Sequence, residues 1–298
     1  MNYLSVDIGG TFTKFGLIDH SGNFLQRWKK ETPHSLEAFQ TLLLREIQIH
    51  ESSIKGIGVS CPGRVDTKTG YIHTGGALNF LYDFPIKKWL SQYTSLPFSL
   101  INDGKAAALS EWWIGNLKGI ENGAAIVLGT GVGGGLILDS RLYNGPHFQA
   151  GELSFMIQGH VESAPTQLLG YSGSSVRFIQ EATTLLGVPQ DDYVTVFSSI
   201  ETNSSQSLNR LFEEYCSSIA QLISNLQAIL DLEKVVIGGG ISAQDSLIQE
   251  ISQQYKRLRQ QEPLLNQTMT PLQIDACAFR NSANLLGALY QLLLDLEG

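Results

Sequence analysis

The stretch YLSVDIGGTFTKFGLID, residues 3–19, decides the fold of this chain. Two runs of apolar and β-branched residues flank a pair of glycines, a pattern typical of antiparallel strands joined by a tight turn. A third short strand is predicted at residues 25–28, after a turn that carries Asp19, Ser21 and Gly22. We therefore expect the chain to open with a β-meander.

The rest of the first half alternates between helical and strand patterns. Apolar residues recur at helical spacing in residues 36–49, and residues 104–113 also read as a helix. Buried-type strands are predicted at residues 54–59 and 98–101. Strands that alternate with helices predict a mainly parallel sheet covered by helices.

The second half repeats the opening pattern at a shift of 120 residues, with Gly9, Ile18 and Asp19 recurring as Gly129, Leu138 and Asp139. Helices at residues 208–230, 242–258 and 282–296 and a strand at 234–237 continue the pattern. The sequence predicts a duplicated α/β unit with the cleft between the copies as the ligand site. We expect an N-terminal lobe at residues 1–118 and a C-terminal lobe at 119–298, and the last helix could pack back on the first lobe.

Composition limits the classes of function. Of 298 residues, 43% are hydrophobic and 16% charged, which is typical of a globular protein. The net charge of −8 argues against nucleic acid and acidic membranes as partners. Three dispersed cysteines and an N-terminus without a basic, apolar leader indicate a reduced, cytoplasmic setting.

Glycine is concentrated in three clusters, DIGGTFTK (7–14), LGTGVGGG (128–135) and VIGGGIS (236–242). Glycine lets consecutive backbone N–H groups approach a phosphate without a Cβ in the way. One such cluster alone is weak evidence, and residues 131–135 taken alone favour a hairpin turn over a phosphate loop. None of the three matches the dinucleotide fingerprint or the GxxxxGK[ST] loop. A nucleotide lying between the lobes accounts for all three.

The first cluster also carries chemistry. Asp7, at the end of a strand, can hold hydrated Mg²⁺ while Thr11 and Lys14 face the phosphates. The equivalent position in the second hairpin is Val127, so one metal-binding hairpin is predicted. The alternative is that Asp7 is a turn residue.

A second candidate site begins at Asn102 and Asp103, directly after a buried strand and before a helix. Open α/β sheets bind ligands at the carboxyl ends of their strands. Asp103 could equally be the N-cap of the helix. Further polar or glycine positions at predicted strand ends and loops complete a hydroxyl-binding set with Asp103 as the base: Gly63, Gly76, Asn79 and Glu152.

These segments resemble the ROK family of sugar kinases and repressors. Residues 7–14 are similar to its first phosphate motif, 56–66 (GIGVSCPGRVD) to its sugar signature, 102–111 to its catalytic stretch, and 128–152 to its second phosphate loop with the AGE sequence. The resemblance implies a two-lobed, actin-like (ribonuclease H-like) ATPase fold. It further implies ATP with Mg²⁺, phosphoryl transfer to a hexose hydroxyl, usually on carbon 6, and a homodimer.

The resemblance assigns roles by position. It implies Asp103 as the base, and Asn102 and Glu152 as sugar contacts beside Gly63, Gly76 and Asn79. The nucleotide set comprises Asp7, Gly9, Gly10, Thr11, Lys14, Gly129, Thr130, Gly131, Gly238, Gly239 and Gly240, with the last three near the adenosine.

The chain departs from the family pattern after Glu152. Ser154 and Phe155 stand where a Gly-His pair is common, and residues 169–175 (LGYSGSS) lack the cysteines that hold a structural zinc. No zinc is expected, and His147 and His160 are expected to be surface or sugar-loop residues. Packing of Phe155 and its neighbours would then hold Glu152 in place.

The sugar stays open among glucose, N-acetylmannosamine, fructose and a β-glucoside. The rival interpretations are a sugar sensor or ROK-type regulator without a DNA-binding module, and a dehydrogenase. Neither is favoured, because the first strand begins at Tyr3 and no dinucleotide fingerprint is present.

Overall fold

A computed structural model of the chain describes residues 1–158 and 168–297. The chain divides into two compact units: unit 1 comprises Met1–Ile114, Leu142–Ala150 and Ser282–Gly298, and unit 2 comprises Gly115–Arg141 and Gly151–Asn281. Within the described ranges, no helix is both long enough and apolar enough to cross a bilayer. The division into an N-terminal lobe at residues 1–118 and a C-terminal lobe at 119–298 stays a prediction.

Unit 1 is built on a five-stranded sheet in the order β3-β2-β1-β4-β7. Its strands, numbered along the chain, are β1 (Asn2–Ile8), β2 (Phe12–Asp19), β3 (Phe24–Glu31), β4 (Ile54–Cys61) and β7 (Phe98–Asn102). A small two-stranded sheet pairs β5 (Val65–Asp66) with β6 (Tyr71–Ile72). The helices of this unit are α1 (Leu36–His50), α2 (Ile86–Leu90), α3 (Asp103–Ile114) and α10 (Ala283–Glu297).

The pairing within this sheet follows from the sequence pattern. β1 to β3 form the predicted antiparallel meander, whereas β4 and β7 run parallel to β1 after helical connections. Residues 3–8 of β1 are all buried, which explains their nearly continuous apolar run. The core of unit 1 gathers the sheet, α1 and the loops after β6, with Phe15, Phe39 and Ile57 fully buried.

The last helix, α10, packs within unit 1 at very short backbone distances. A Cβ on Gly287 would lie 1.9 Å from the carbonyl oxygen of Ala106 on α3, and one on Gly58 would lie 2.3 Å from that of Ala288. Only glycine permits both approaches, so α10 is seated closely on α3 and on β4.

Unit 2 has a second five-stranded sheet, in the order β10-β9-β8-β11-β12. Its strands are β8 (Gly123–Leu128), β9 (Val132–Leu138), β10 (Arg141–Leu142), β11 (Lys234–Gly239) and β12 (Gln273–Ala276). Its helices are α4 (Leu169–Ser172), α5 (Ser175–Leu186), α6 (Tyr193–Glu201), α7 (Gln206–Leu230), α8 (Asp245–Gln261) and α9 (Pro263–Thr268). The helical periodicity of residues 208–230 thus predicted α7 closely, whereas α5 and α6 were not predicted.

The core of unit 2 forms where α5 and α7 pack on each other. Phe178 on α5 stacks on Tyr215 of α7 with ring centroids 4.7 Å apart, and Phe197 and Phe212 complete the cluster. Ile219, Leu222 and Leu226 continue the buried face of α7. This face is the apolar stripe that the helical spacing indicates.

The two sheets share one strand order, and β1, β2, β4 and β7 correspond in order and direction to β8, β9, β11 and β12. The predicted duplication and the α/β fold class are therefore confirmed. Asp7 of β1 corresponds to Val127 of β8, and only the first copy has a carboxylate at this position.

Candidate functional site

Polar residues of unit 1 meet at the carboxyl ends of β1, β4 and β7. In the parallel register, Asp7 lies beside Ser60, and Cys61 lies beside Asn102. Residues that are far apart in sequence thus share one edge of the sheet. This is the edge at which open α/β sheets bind ligands.

Asn102, and not Asp103, caps helix α3. The side-chain oxygen of Asn102 accepts a hydrogen bond from the backbone N–H of Lys105 at 3.1 Å, the geometry of an N-cap. Asp103 is the first residue of the helix, and its Oδ1 accepts from Asn102 Nδ2 at 3.0 Å and from the N–H of Gly104 at 2.8 Å. The alternative interpretation of Asp103 as the N-cap is therefore wrong, and its half-buried carboxylate is oriented by its neighbours.

The glycine loop after β4 lies against the same residues. Asn102 Nδ2 also donates to the carbonyl oxygen of Gly63 at 2.9 Å. Gly63 has a φ of 83°, and a Cβ there would lie 2.5 Å from the nitrogen of Gly76. Four predicted residues are thus in contact: Asn102, Asp103, Gly63 and Gly76. Asn79 begins a 3-10 turn at Asn79–Leu81, is exposed, and takes no part in these contacts.

The first hairpin holds Asp7 between two donors. Lys14 Nζ lies 3.2 Å from Asp7 Oδ2, and Asn284 Nδ2 on α10 donates to Asp7 Oδ1 at 3.0 Å. Asp7 is only 4% exposed, whereas the Lys14 side chain is 39% exposed. The tip at Gly10 and Thr11 is exposed, and a Cβ on Gly10 would meet nothing within 4 Å.

Cys61 lies near both predicted functional carboxylates. Burial raises the pKa of the Cys61 thiol well above its ordinary value, and the negative charges of Asp103 and Asp7 raise it further. A thiol in this environment stays protonated and is a poor nucleophile. Cys61 is therefore a buried packing residue of the site.

In unit 2, the segment that follows Gly151 and Glu152 is anchored through two of its residues, Leu153 and Ser154. Leu153 is 4% exposed, and Ser154 Oγ accepts a hydrogen bond from Val132 N at 2.8 Å. Phe155 is 70% exposed. The exposed side chain of Phe155 contributes little to packing here, whereas Leu153 and Ser154 are held by burial and by a hydrogen bond. The expectation that Phe155 and its neighbours hold Glu152 stays a prediction.

The second and third glycine clusters come together in unit 2. Gly238 and Gly239 at the end of β11 pair with Val127 and Leu128 at the end of β8, directly before residues 129–131. A Cβ on Gly239 would lie 2.0 Å from the carbonyl oxygen of Leu128, so this approach requires glycine. Gly240 faces open space, and Gly129 nearly so, whereas a Cβ on Gly131 would meet Ser154 Oγ at 2.6 Å. Thr130 is exposed at the turn between the strands.

The start of α5 binds the second glycine cluster, a contact that the sequence did not predict. The N–H of Ser175 donates to the carbonyl oxygen of Gly129 at 3.0 Å, and its Oγ lies 3.1 Å from that of Leu128. Ser174 Oγ caps the helix by accepting from the N–H of Arg177 at 3.2 Å. Ser174 and Ser175, in the segment that lacks cysteines, thus support the turn at Gly129.

Asp7 fits a magnesium ion of the kind that a nucleotide carries. Mg²⁺ usually keeps several waters and is held by one or two carboxylates plus substrate phosphates. Asp7 supplies one carboxylate, and the buried Ser60 hydroxyl beside it has no hydrogen-bond partner among the described residues. One carboxylate and a nearby unpaired hydroxyl suit a hydrated ion.

A zinc site is not defined by the described residues. Within residues 1–158 and 168–297, no group of three or more His, Cys, Asp or Glu could hold a metal ion. His147 is exposed, and His160 lies outside the described residues. The expected absence of zinc stays a prediction.

Comparison with known protein families and structures is consistent with this geometry. The model described as "ROK family" matches residues 3–294. A beta-glucoside kinase of Listeria monocytogenes is 28% identical, over 98% of this chain and 98% of its own. An N-acetylmannosamine kinase of Vibrio cholerae is 29% identical, over 98% of this chain and 99% of its own.

A solved structure extends the similarity to three dimensions. A ROK family protein from Streptococcus pneumoniae, in complex with sucrose, is 28% identical with a TM-score of 0.86. The alignment covers 100% of this chain and 99% of that one. The names of these relatives favour the predicted sugar kinase over the regulator.

Proposed function

This chain belongs to the ROK family, and from that membership we propose that it is an ATP-dependent kinase for a hydroxyl group of a hexose or hexose derivative. The family predicted from the sequence is thereby confirmed. The observation that carries the proposal is the orientation of Asp103, which follows from the capping of α3 by Asn102.

In the proposed reaction, Asp103 is the general base. Its carboxylate accepts the proton of the sugar hydroxyl as the hydroxyl oxygen bonds to the γ-phosphorus, while the bond to the bridging oxygen breaks and ADP leaves. Phosphoryl transfer needs mainly positioning and charge stabilisation. Asn102 assists by holding Asp103 Oδ1 and the Gly63 loop with the same amide.

The glycine loops would bind the nucleotide. Gly9, Gly10 and Thr11 would contact the phosphates from the first hairpin, and residues 129–131 from the second. Gly238, Gly239 and Gly240 would lie near the adenosine. The open space beside Gly10, Gly129 and Gly240 is where a ligand can approach the backbone without a Cβ in its path.

Asp7 would hold Mg²⁺ through water, and Lys14 would contact the phosphates. When bound, Mg²⁺ neutralises charge on the phosphate oxygens. Lys14 adds positive charge beside Asp7, at 3.2 Å. This arrangement assigns the metal to the first hairpin alone, since the second has Val127 at the matching position.

Several finer features are proposed on the family resemblance. They are transfer to carbon 6, sugar contacts through Gly63, Gly76, Asn79 and Glu152, a homodimer, and a cytoplasmic location. Glucose, N-acetylmannosamine, fructose and β-glucosides are the candidate sugars. The relatives' names include beta-glucoside kinase, glucokinase and N-acetylmannosamine kinase, so these three sugars come before fructose.

Asp103→Asn tests the proposal. We expect kcat to fall by about 10²- to 10⁴-fold, the usual contribution of a positioned base, with sugar affinity within an order of magnitude. The melting temperature should change little, because Asn102 caps the helix. A sugar panel in a coupled ADP assay measures turnover, and calorimetry measures sugar binding.

Two results would contradict the proposal. One is a variant that keeps most of its kcat on the preferred sugar. The other is a wild-type chain that binds a sugar and yet forms no ADP with any member of the panel, which is the behaviour of a sensor.

A further inference from the structure

We propose that Asn284, near the start of α10, is a positioning residue that sets the Asp7 carboxylate for the divalent cation of the nucleotide. The inference rests on the proposed function, since it concerns the residue assigned there to Mg²⁺. It adds a residue that lies 277 positions away from Asp7 in the sequence.

Each carboxylate oxygen of Asp7 has its own donor. Asn284 Nδ2 donates to Oδ1 at 3.0 Å, and Lys14 Nζ donates to Oδ2 at 3.2 Å. With both oxygens engaged, the carboxylate cannot turn about its Cβ–Cγ bond without breaking a hydrogen bond. A carboxylate oxygen has two lone-pair sites, so each can still accept a hydrogen bond from a metal-bound water.

The helix that carries Asn284 is itself held by three close backbone contacts. Ser5 Oγ donates to the carbonyl oxygen of Leu285, the residue after Asn284. Gly287 and Gly58 admit the helix to within contact of α3 and β4, as described above. Ser5 and Gly58 are adjacent in the β1–β4 register, two residues before Asp7 and Ser60. The position of Asn284 is therefore determined in part by β1, the strand that carries Asp7, and by β4 beside it.

This arrangement has the form of an outer-shell contact to a metal ligand. Such partners orient the ligand, and their removal typically costs about 10- to 100-fold in metal affinity or activity. Lys14 has a second proposed task, at the phosphates, and its side chain is more exposed. Asn284 is thus the donor assigned to orientation alone.

The test compares the binding of ADP with and without Mg²⁺ by calorimetry, using excess chelator for the metal-free arm. The ratio of the two affinities measures what the metal contributes, and a general loss of structure would weaken both arms. Asn284→Leu removes the amide at nearly constant side-chain volume. Asn284→Ala also removes the amide, and it repeats the test if the Leu variant does not fold. Asn284→Gln keeps an amide donor.

Gln291→Leu provides a matched control. Gln291 lies on the same helix, is similarly half-buried, and donates to Asp295 at 2.9 Å, away from the proposed site. Like Asn284→Leu, this substitution replaces a side-chain amide with Leu. Its affinity ratio, KM for MgATP and kcat should equal those of the wild type.

We expect Asn284→Leu and Asn284→Ala to lower the affinity ratio about 10-fold or more. Both variants should raise the KM for MgATP and keep sugar affinity within about twofold. Asn284→Gln, which keeps an amide donor, should recover part of the lost affinity ratio. An unchanged ratio in both variants, or an equal loss with and without metal, overturns the inference. If Mg²⁺ has no effect on the binding of ADP to the wild type, the assignment of Mg²⁺ to Asp7 is wrong, and the inference is overturned with it. The proposed function fails only if, in addition, the wild type phosphorylates no sugar.

Discussion

At the scale of single residues, Asn102 and Asp103 divide two tasks between adjacent positions. The amide of Asn102 can both donate and accept, so it caps the helix through its oxygen and orients Asp103 through its nitrogen. Asp103 thereby lies in the first turn of α3, where the helix dipole stabilises its negative charge. A reversed order would place the carboxylate in the cap.

Leu153 and Phe155 lie two residues apart, yet their replacement by Ala should change the free energy of unfolding very differently. Leu153 is 4% exposed, so Leu153→Ala should lower the free energy of unfolding by about 2–5 kcal/mol. Phe155 is 70% exposed, so Phe155→Ala should change it by about 0.5 kcal/mol or less. Urea unfolding of both variants measures the difference.

The Phe155→Ala variant also reports on the proposed sugar site. A rise in sugar KM for Phe155→Ala at unchanged stability would indicate direct contact with the sugar or its substituent. A large loss of stability in Phe155→Ala would show that the exposed position of its side chain is wrong.

Cys61 should be unreactive in the folded protein. The raised pKa of its thiol, caused first by burial and then by Asp103 and Asp7, leaves almost no thiolate near pH 8. We expect a maleimide to label Cys61 only after denaturation, as mapped by mass spectrometry of digested protein. Rapid labelling of Cys61 in the native protein at pH 8 would contradict this placement.

At the scale of elements, the N-terminus of α5 stabilises the turn between β8 and β9. The N–H groups of Ser175 and Val176 both donate to the carbonyl oxygen of Gly129, at 3.0 and 3.4 Å. Free N–H groups at a helix start need acceptors, and the glycine turn supplies one. The turn proposed to bind phosphate is therefore held from outside its own hairpin.

Ser175→Ala should weaken this support. We expect a loss of about 1 kcal/mol in stability and a higher KM for MgATP at unchanged sugar affinity, because the hydroxyl bonds to Leu128 and Gly129 are removed. Steady-state kinetics and urea unfolding check both effects.

Ser246→Ala is the matched control. Its buried hydroxyl has no hydrogen-bond partner among the described residues, so its removal should be neutral. Equal effects of the two substitutions on the KM for MgATP would argue against a specific role for Ser175.

At the scale of the whole molecule, one topology occurs twice with different chemistry. Both sheets place a hairpin beside parallel strands, and glycines follow the strand ends in each. Unit 1 adds carboxylates there, at Asp7 and Asp103, whereas unit 2 has Val127 and a glycine cluster at residues 238–240. The two copies therefore differ in the charge at their strand ends, although they share one topology.

The whole chain should contain no structural zinc. Such sites use four Cys or His ligands, and the three cysteines at positions 61, 216 and 277 are all buried in separate places. Elemental analysis is expected to find far less than one zinc per chain, with activity unaffected by a zinc-selective chelator in excess Mg²⁺. One bound zinc per chain, or chelated activity that zinc alone restores, would refute this prediction.

The sequence by itself determined the repeated units and the positions of their glycine turns. Strand alternation, helical spacing and glycine clusters are local patterns, since each depends on residues within a few positions of one another. For this reason residues 3–19, 98–113 and 208–230 could be assigned correctly. Strand ends in parallel sheets share one edge, which also allowed Gly63, Asn102 and Asp103 to be grouped.

Only the tertiary structure decided which groups orient these residues. Asn284 reaches Asp7 because α10 packs on β1, β4 and α3, and Ser175 reaches Gly129 because α5 starts beside the end of β8. Likewise, a sequence that places Asn and Asp together at a helix start leaves open which one is the cap. Such contacts depend on the packing of distant elements and on side-chain rotamers, and no pattern within a few residues records either of them.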